Sequence, residues 1–177
     1  MKFLTRLSLS LLLIIPVALI AQDLSKQTFT KFTSKEGKFN VLFPGKPQEQ
    51  KQTKSTELGD IQIKMFIVPI GNDSAFFVSF NDNPEALKNS DPMQMLEGAR
   101  NGVQGKEGEL VSDEAIKFGP DKLPGRRFLI KKPGGTYVRS MVILNGLRLY
   151  QVMVIGKKEF VEAKEVDKFY KSFELTK

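Results

Sequence analysis

Apolar and polar side chains alternate in short runs along most of this chain, and a cluster of Gly, Pro, Asn or Asp closes each run. Period-two alternation marks a half-buried strand, because successive side chains point to opposite faces of the backbone. The first run, Lys38 to Phe43, sets Phe39, Val41 and Phe43 on one face and stops at Pro44-Gly45. Two more, 51–58 and 61–68, flank Gly59-Asp60, which reads as a two-residue hairpin turn with glycine first. In that register Thr56, Leu58, Ile61, Ile63, Met65 and Ile67 share a face. A run from Ser74 to Phe80 follows the turn at 71–73, and another spans Glu109 to Phe118. Leu123-Pro124-Gly125 carries Pro and Gly where a type II turn needs them. Runs 126–132, 136–144 and 147–155 come next, joined by Pro133-Gly134-Gly135 and by Asn145-Gly146, the strongest short hairpin signal in the chain.

Two stretches change to helical spacing. Asp91 is a good N-cap, Pro92 suits the first helical position, and Gln94 completes a capping box. Met95, Leu96, Ala99 and Val103 then form one apolar stripe, and Gly102 and Gly105 weaken its far end. Near the C-terminus Val166, Phe169, Tyr170 and Phe173 recur at i, i+3, i+4 and i+7, with Asp167 and Lys171 spaced to pair on the outer side. Helices laid on an antiparallel meander sheet predict an α+β fold.

The first residues have another purpose. Lys2 and Arg6 precede Leu7 to Ala21, a run whose length suits a signal peptide better than a spanning helix of about 20 apolar residues. Residues 1–21 are therefore expected to be an export signal cut after Ala21, with an uncleaved N-terminal anchor as the alternative, and export places the mature protein in the periplasm or outside the cell. Residues 22–31 read as a tether, and 32–177 as a single domain. The chain has no cysteine, so its core must hold without disulfides, which a domain of about this size can do.

Composition narrows the chemistry. The sequence is 41% hydrophobic and 27% charged, the usage of a folded domain, and it contains no His, Cys or Trp. A Ser-His-Asp triad, a Cys-His pair, a thiolate zinc site and a His-ligated metal are excluded. Gly102, Gly105 and Gly108 miss the spacing of a phosphate loop, and Asn81 to Glu85 lacks the alternating ligands of a calcium loop. No cofactor is expected, and the expected role is that of a non-enzymatic accessory or binding domain. Two other classes stay open. A glycosidase-type hydrolase needs only carboxylates, and a structural or assembly protein needs a large exposed apolar patch.

Charge is unevenly spread. Without Lys2 and Arg6 the 27 basic residues become 25 against 20 acidic ones, a net charge of +5. No acid lies between Asp121 and Glu159, where nine cations occur, whereas 82–114 holds eight acids against Lys88, Arg100 and Lys106. This layout predicts a dipolar molecule. Pairing across Asn145-Gly146 sets Tyr137, Arg139, Met141, Ile143, Arg148, Tyr150, Val152 and Val154 on one face. Val138, Val142, Leu144, Leu147, Leu149, Met153 and Ile155 fall on the other, which reads as the better core face. Arg126 and Arg127 point opposite ways, so Arg127 is the one taken to join the first face. Arg139, Arg148, Tyr137, Tyr150 and Arg127 are then candidates for gripping an anionic group, with Arg supplying forked donors and Tyr contact area. The expected partners are an anionic envelope polymer, a membrane surface or an acidic protein. Nucleic acid is not expected, since export removes the opportunity and no groove-reading motif is present. The bland alternative is that the Arg stems cover the sheet and pair with acids on an overlying helix.

The order of these signals resembles a known family. Phe32-Thr33-Ser34 and Glu36-Gly37-Lys38-Phe39 lead into Phe43-Pro44-Gly45-Lys46-Pro47. A meander, a helix, the hairpin from Asn145 to Tyr150 and a closing helix with Lys171-Ser172-Phe173 follow. This arrangement is similar to the PsbP-like superfamily over residues 32 to 175. The resemblance implies an α/β/α sandwich and an accessory or binding role. Members nearest the photosystem proteins carry a Trp after the first strand and metal-binding histidines. Neither residue type occurs here, so those two properties do not carry over.

Overall fold

The computed structural model describes residues 24–176, so the segment read as a signal peptide lies outside the described residues. The element order is β1 (Thr30–Ser34), β2 (Phe39–Phe43), β3 (Gln48–Thr56), β4 (Gly59–Ile70), β5 (Ser74–Asp82), α1 (Pro92–Gln104), β6 (Glu109–Phe118) and β7 (Leu123–Lys131). Then come β8 (Tyr137–Asn145), β9 (Arg148–Gly156), α2 (Lys158–Val161), α3 (Lys164–Ser172) and β10 (Glu174–Leu175). Seven strands form one antiparallel sheet in the order β3-β4-β5-β9-β8-β7-β6, and β1-β2-β10 form a small second sheet. Among the described residues no helix is long and apolar enough to cross a membrane.

Both faces of the large sheet are apolar, and each acquires its own cover. One face carries Phe66 and Val68 of β4, Phe76, Val78 and Phe80 of β5, Met141 and Ile143 of β8, and Tyr150, Val152 and Val154 of β9. The small sheet lays Phe39, Val41 and Phe43 over it, and Val161, Val166 and Phe169 from α2 and α3 complete the layer. The other face is covered by α1, whose Leu96 is buried among Phe128, Ile130, Val138, Val142, Leu149 and Met153. The architecture is thus α+β, with the sheet between α1 on one side and a mixed layer of helices and small sheet on the other. Asp91 caps α1 by accepting a hydrogen bond from the Met93 backbone N–H at 2.8 Å.

Several expectations are corrected. The face bearing Arg139 and Arg148 is the larger core, with nineteen buried residues of the described chain against eight on the face expected to be better. Parity along β8 and β9 sorts their side chains correctly, but the phenylalanines that decide the matter come from other strands. On β4 the fully buried set is Phe66, Val68 and Ile70, whereas Ile61, Ile63, Met65 and Ile67 are only half-buried and Leu58 is 52% exposed.

Turns also move. Thr56 pairs with Gly59, so Glu57 and Leu58 make the β3–β4 turn, and the Thr56 hydroxyl donates to the Gly59 carbonyl at 2.7 Å. Leu123, Pro124 and Gly125 belong to β7, and the chain reverses earlier, at 119–122. Asn145 pairs with Arg148, which leaves Gly146 (φ 60) and Leu147 as the loop. A glycine with positive φ at the first loop position is what a type II′ turn requires. That displacement shifts the register by two and so keeps every side chain on its expected face. Finally, the segment read as a tether is packed from Leu24 onward: Leu24 is 7% exposed within the main core, and β1 begins at Thr30.

Candidate functional site

The five candidate side chains share one sheet face but do not form one surface. Arg139 faces Val154 across the β8–β9 ladder and Arg148 faces Asn145, six residues along β9 and therefore about 20 Å away. Arg148 is a structural clamp. Its Nε and Nη2 donate to the two carboxylate oxygens of Asp82 at 2.6 Å each, and Nη1 donates to the Glu36 carbonyl at 2.9 Å. The guanidinium lies over the Phe80 ring at 5.0 Å. These bonds hold the Asp82 carboxyl below its ordinary range and raise the Arg148 guanidinium above its own. Tyr150 beside it is 2% exposed in the core, and burial pushes its phenol up.

Arg139 lies under α3. It donates to Asp167 Oδ1 at 2.7 Å and to the Val161 carbonyl at 3.3 Å, and its guanidinium stacks 5.0 Å from the Tyr170 ring centre. The Tyr170 hydroxyl donates in turn to the Arg139 backbone carbonyl. Burial raises that phenol well above its usual range, so it stays a donor at neutral pH. The pairing of Asp167 with Lys171 expected along the helix is replaced by this bond from sheet to helix. Tyr137, partly buried, sits at the far end of β8.

Only Arg139 and Arg127 come together. Leu129 pairs with Arg139 and Glu114 with Arg127, so both cations reach the floor of a cleft between α3 and the sheet. The cleft encloses about 720 Å³, within the range of small-ligand sites. Ser112, Glu114, Arg127 and Leu129 lie on its floor side, and Glu162, Asp167, Tyr170 and Lys171 on its helical wall. Arg127 approaches Glu114 only to 3.7 Å, and both side chains are more than half exposed. Lys171 makes no ion pair among the described residues. The arrangement can accept an anionic group between Arg127 and Lys171, with the Ser112 hydroxyl and the Leu129 side chain beside it. Among the described residues no three metal-ligating side chains gather.

Sequence reasoning missed Lys171, Glu114, Glu162 and Ser112. Lys171 and Glu162 are brought over the sheet by the docking of α2 and α3, for which no local pattern exists. Glu114 was detectable in principle, since a hairpin between 109–118 and 123–131 sets it opposite Arg127. The turn assigned at Leu123-Pro124-Gly125 hid that register.

No family model matches the chain, and no curated protein matches it. Among solved structures it is similar to cyanobacterial PsbP (CyanoP) from Synechocystis sp. PCC 6803 at TM-score 0.57 and 13% identity, over 84% of this chain and 93% of that one. A protein of unknown function from Pseudomonas aeruginosa aligns at TM-score 0.41 and 9% identity, over 63% of this chain and 86% of its own, a likeness that carries no argument. With this sheet order and its two covering layers, the chain has a PsbP-like α+β fold.

Proposed function

We propose that this chain is an exported, non-enzymatic accessory domain that holds an anionic group of a partner in the cleft between α3 and β6–β8. The observation that supports this reading is how its cations are occupied. Arg139 is committed to Asp167, whereas Arg127 is held loosely at 3.7 Å and Lys171 has no carboxylate within 4.0 Å among the described residues. An exposed ion pair contributes under about 1 kcal/mol. An incoming carboxylate or phosphate therefore displaces Glu114 readily and gains a forked guanidinium and an ammonium. Export rests on Lys2, Arg6 and the apolar run to Ala21, and it brings envelope polymers, membrane surface and acidic proteins within reach. The lack of His and Cys supports binding over catalysis. Co-sedimentation with envelope fractions across a salt series tests the reading. Binding is expected to weaken with salt and with a combined Arg127→Ala, Lys171→Ala variant. Unchanged binding by that variant sinks the cleft.

One observation favours a second reading, a carboxylate-based hydrolase: Glu114, Glu162 and Asp167 all line the same cleft. Asp167 is engaged by Arg139, which leaves Glu162 as the acid and the loosely held Glu114 as the second carboxylate. On that reading the protein releases reducing sugar from envelope glycans and Glu162→Gln stops it. A wild-type protein that releases none removes it.

A further inference from the structure

The face of the large sheet under α1 is covered over only part of its width. α1 lies above β7, β8 and β9, and beyond its flank the sheet stays open. There the register sets Lys54 beside Ile61 and, one row on, places Gln52, Ile63, Asn81 and Leu149 in line. A groove of about 400 Å³ runs between these rows and the flank of α1 that carries Met95, Gly98 and Gly102.

Three features of this groove are not explained by folding. Gly98 and Gly102 sit inside α1, where glycine is the poorest helix former after proline. A Cβ built on either meets no atom within 4 Å, so no close packing within the chain requires them. Next, Asn81 is 9% exposed on an otherwise largely aliphatic floor. Its Nδ2 makes one long bond, 3.3 Å, to Asn83 Oδ1, and its side-chain oxygen, which accepts from no described residue, is accessible at the groove surface. An amide oxygen left open in this way is available to a donor on an occupant of the groove. Last, Lys54 is the one charged side chain that lines the groove, and it makes no ion pair among the described residues.

These features select the occupant. A side-chain amide offers a donor and an acceptor together, which complements a peptide unit and is wasted on a hydrocarbon chain. Asn81 and Gln151 supply two such groups beside the aliphatic Ile61 and Ile63. The floor is a face of paired strands, along which an extended segment lies flatter than a helix about 10 Å across. The lone ammonium at Lys54 asks for a single negative charge. We propose that this groove binds the extended apolar C-terminus of a partner polypeptide, with its terminal carboxylate on Lys54 and its backbone on Asn81 and Gln151. The glycines of α1 clear the room for it.

The test is a titration of the purified protein with a mixture of N-acetylated tetrapeptides of alanine, valine, isoleucine and leucine, followed by the side-chain amide resonances of Asn81 and Gln151. Both resonances are expected to shift. Amidation of the peptide C-termini and Lys54→Gln are each expected to weaken binding by about tenfold. Gly98→Ala and Gly102→Ala are expected to raise the melting temperature by about 2–4 °C each, which shows that the glycines do not serve folding. Gly102→Leu, which fills the groove in a folded protein, is expected to abolish the shifts. Absence of any shift at millimolar peptide, or equal binding by Gly102→Leu, overturns the proposal. So does an effect of sodium octanoate on these resonances where the peptides have none, which assigns the groove to an aliphatic amphiphile.

Discussion

Asp113 holds two guanidinium groups and through them ties α1 to the edge of the sheet. Arg126 of β7 donates to both carboxylate oxygens, at 2.9 and 2.7 Å, and Arg100 of α1 closes on the second. The carboxylate side chain is only 11% exposed, so these bonds are poorly screened. The bond from Arg126 is the main cause holding the Asp113 carboxyl below its ordinary 3.8, and Arg100 adds to it. A carboxyl depressed in the fold stabilises it fully above the unfolded pKa and loses that contribution as pH falls through the folded value. Asp113→Asn is therefore expected to cost about 2 kcal/mol at pH 7. The gap to the wild type should narrow below about pH 4, as urea melts at pH 7 and pH 3 will show. The sequence names Asp113 and Arg126 but not their meeting, because only the register of two strands brings them together. Arg139 repeats the lesson: alternation places it on the right face, and its partner Asp167 comes from a helix 28 positions on.

At the scale of elements, strand and helix existence is well marked by period, and the joints between them are not. Asp91 and Pro92 start α1 where their chemistry says, because a cap acts on its own next few residues. The Pro124-Gly125 pair misleads, since its composition suits a turn while the hairpin closes at Gly119 and Lys122, with φ of 65° and 51°. Nothing about a lysine announces a left-handed backbone. Gly125 has a different reason to be glycine. A Cβ there would stand 2.8 Å from the Val142 carbonyl oxygen of the neighbouring strand and 3.0 Å from Ile116. Both obstacles lie in the packed sheet, and the nearer one is backbone. Gly125→Ala is thus expected to destabilise by about 1–3 kcal/mol, the range for overpacking, with a lowered urea midpoint and an unchanged m-value. The candidate cleft was legible to the same degree as the joints: its floor on β7 and β8 follows from alternation, and its wall depends on how α3 docks.

At the scale of the whole molecule, the charge segregation along the sequence is offset where the two stretches pair. The acidic stretch and the basic stretch are neighbours in the sheet, so Glu109 meets Lys131, Asp113 meets Arg126, Glu114 meets Arg127 and Asp82 meets Arg148. A hairpin that folds an acidic strand onto a basic one cancels in space what is separated in sequence. The same closure of distance decides where the domain begins. The residues before Thr30 lack any periodic pattern, yet Leu24 is buried in the main core. Phe29 packs edge-on against Phe76 at 5.9 Å and lies beneath the Lys168 ammonium at 5.2 Å. A free tether and a docked segment make different demands on Leu24. If the segment is docked, Leu24→Ala removes buried methyl groups and leaves a cavity, which costs about 2–3 kcal/mol. That corresponds to a fall of roughly 4–12 °C in melting temperature for a domain of this size. If the segment only tethers, the same substitution leaves the melting temperature where it was, and calorimetry on the two proteins separates the cases.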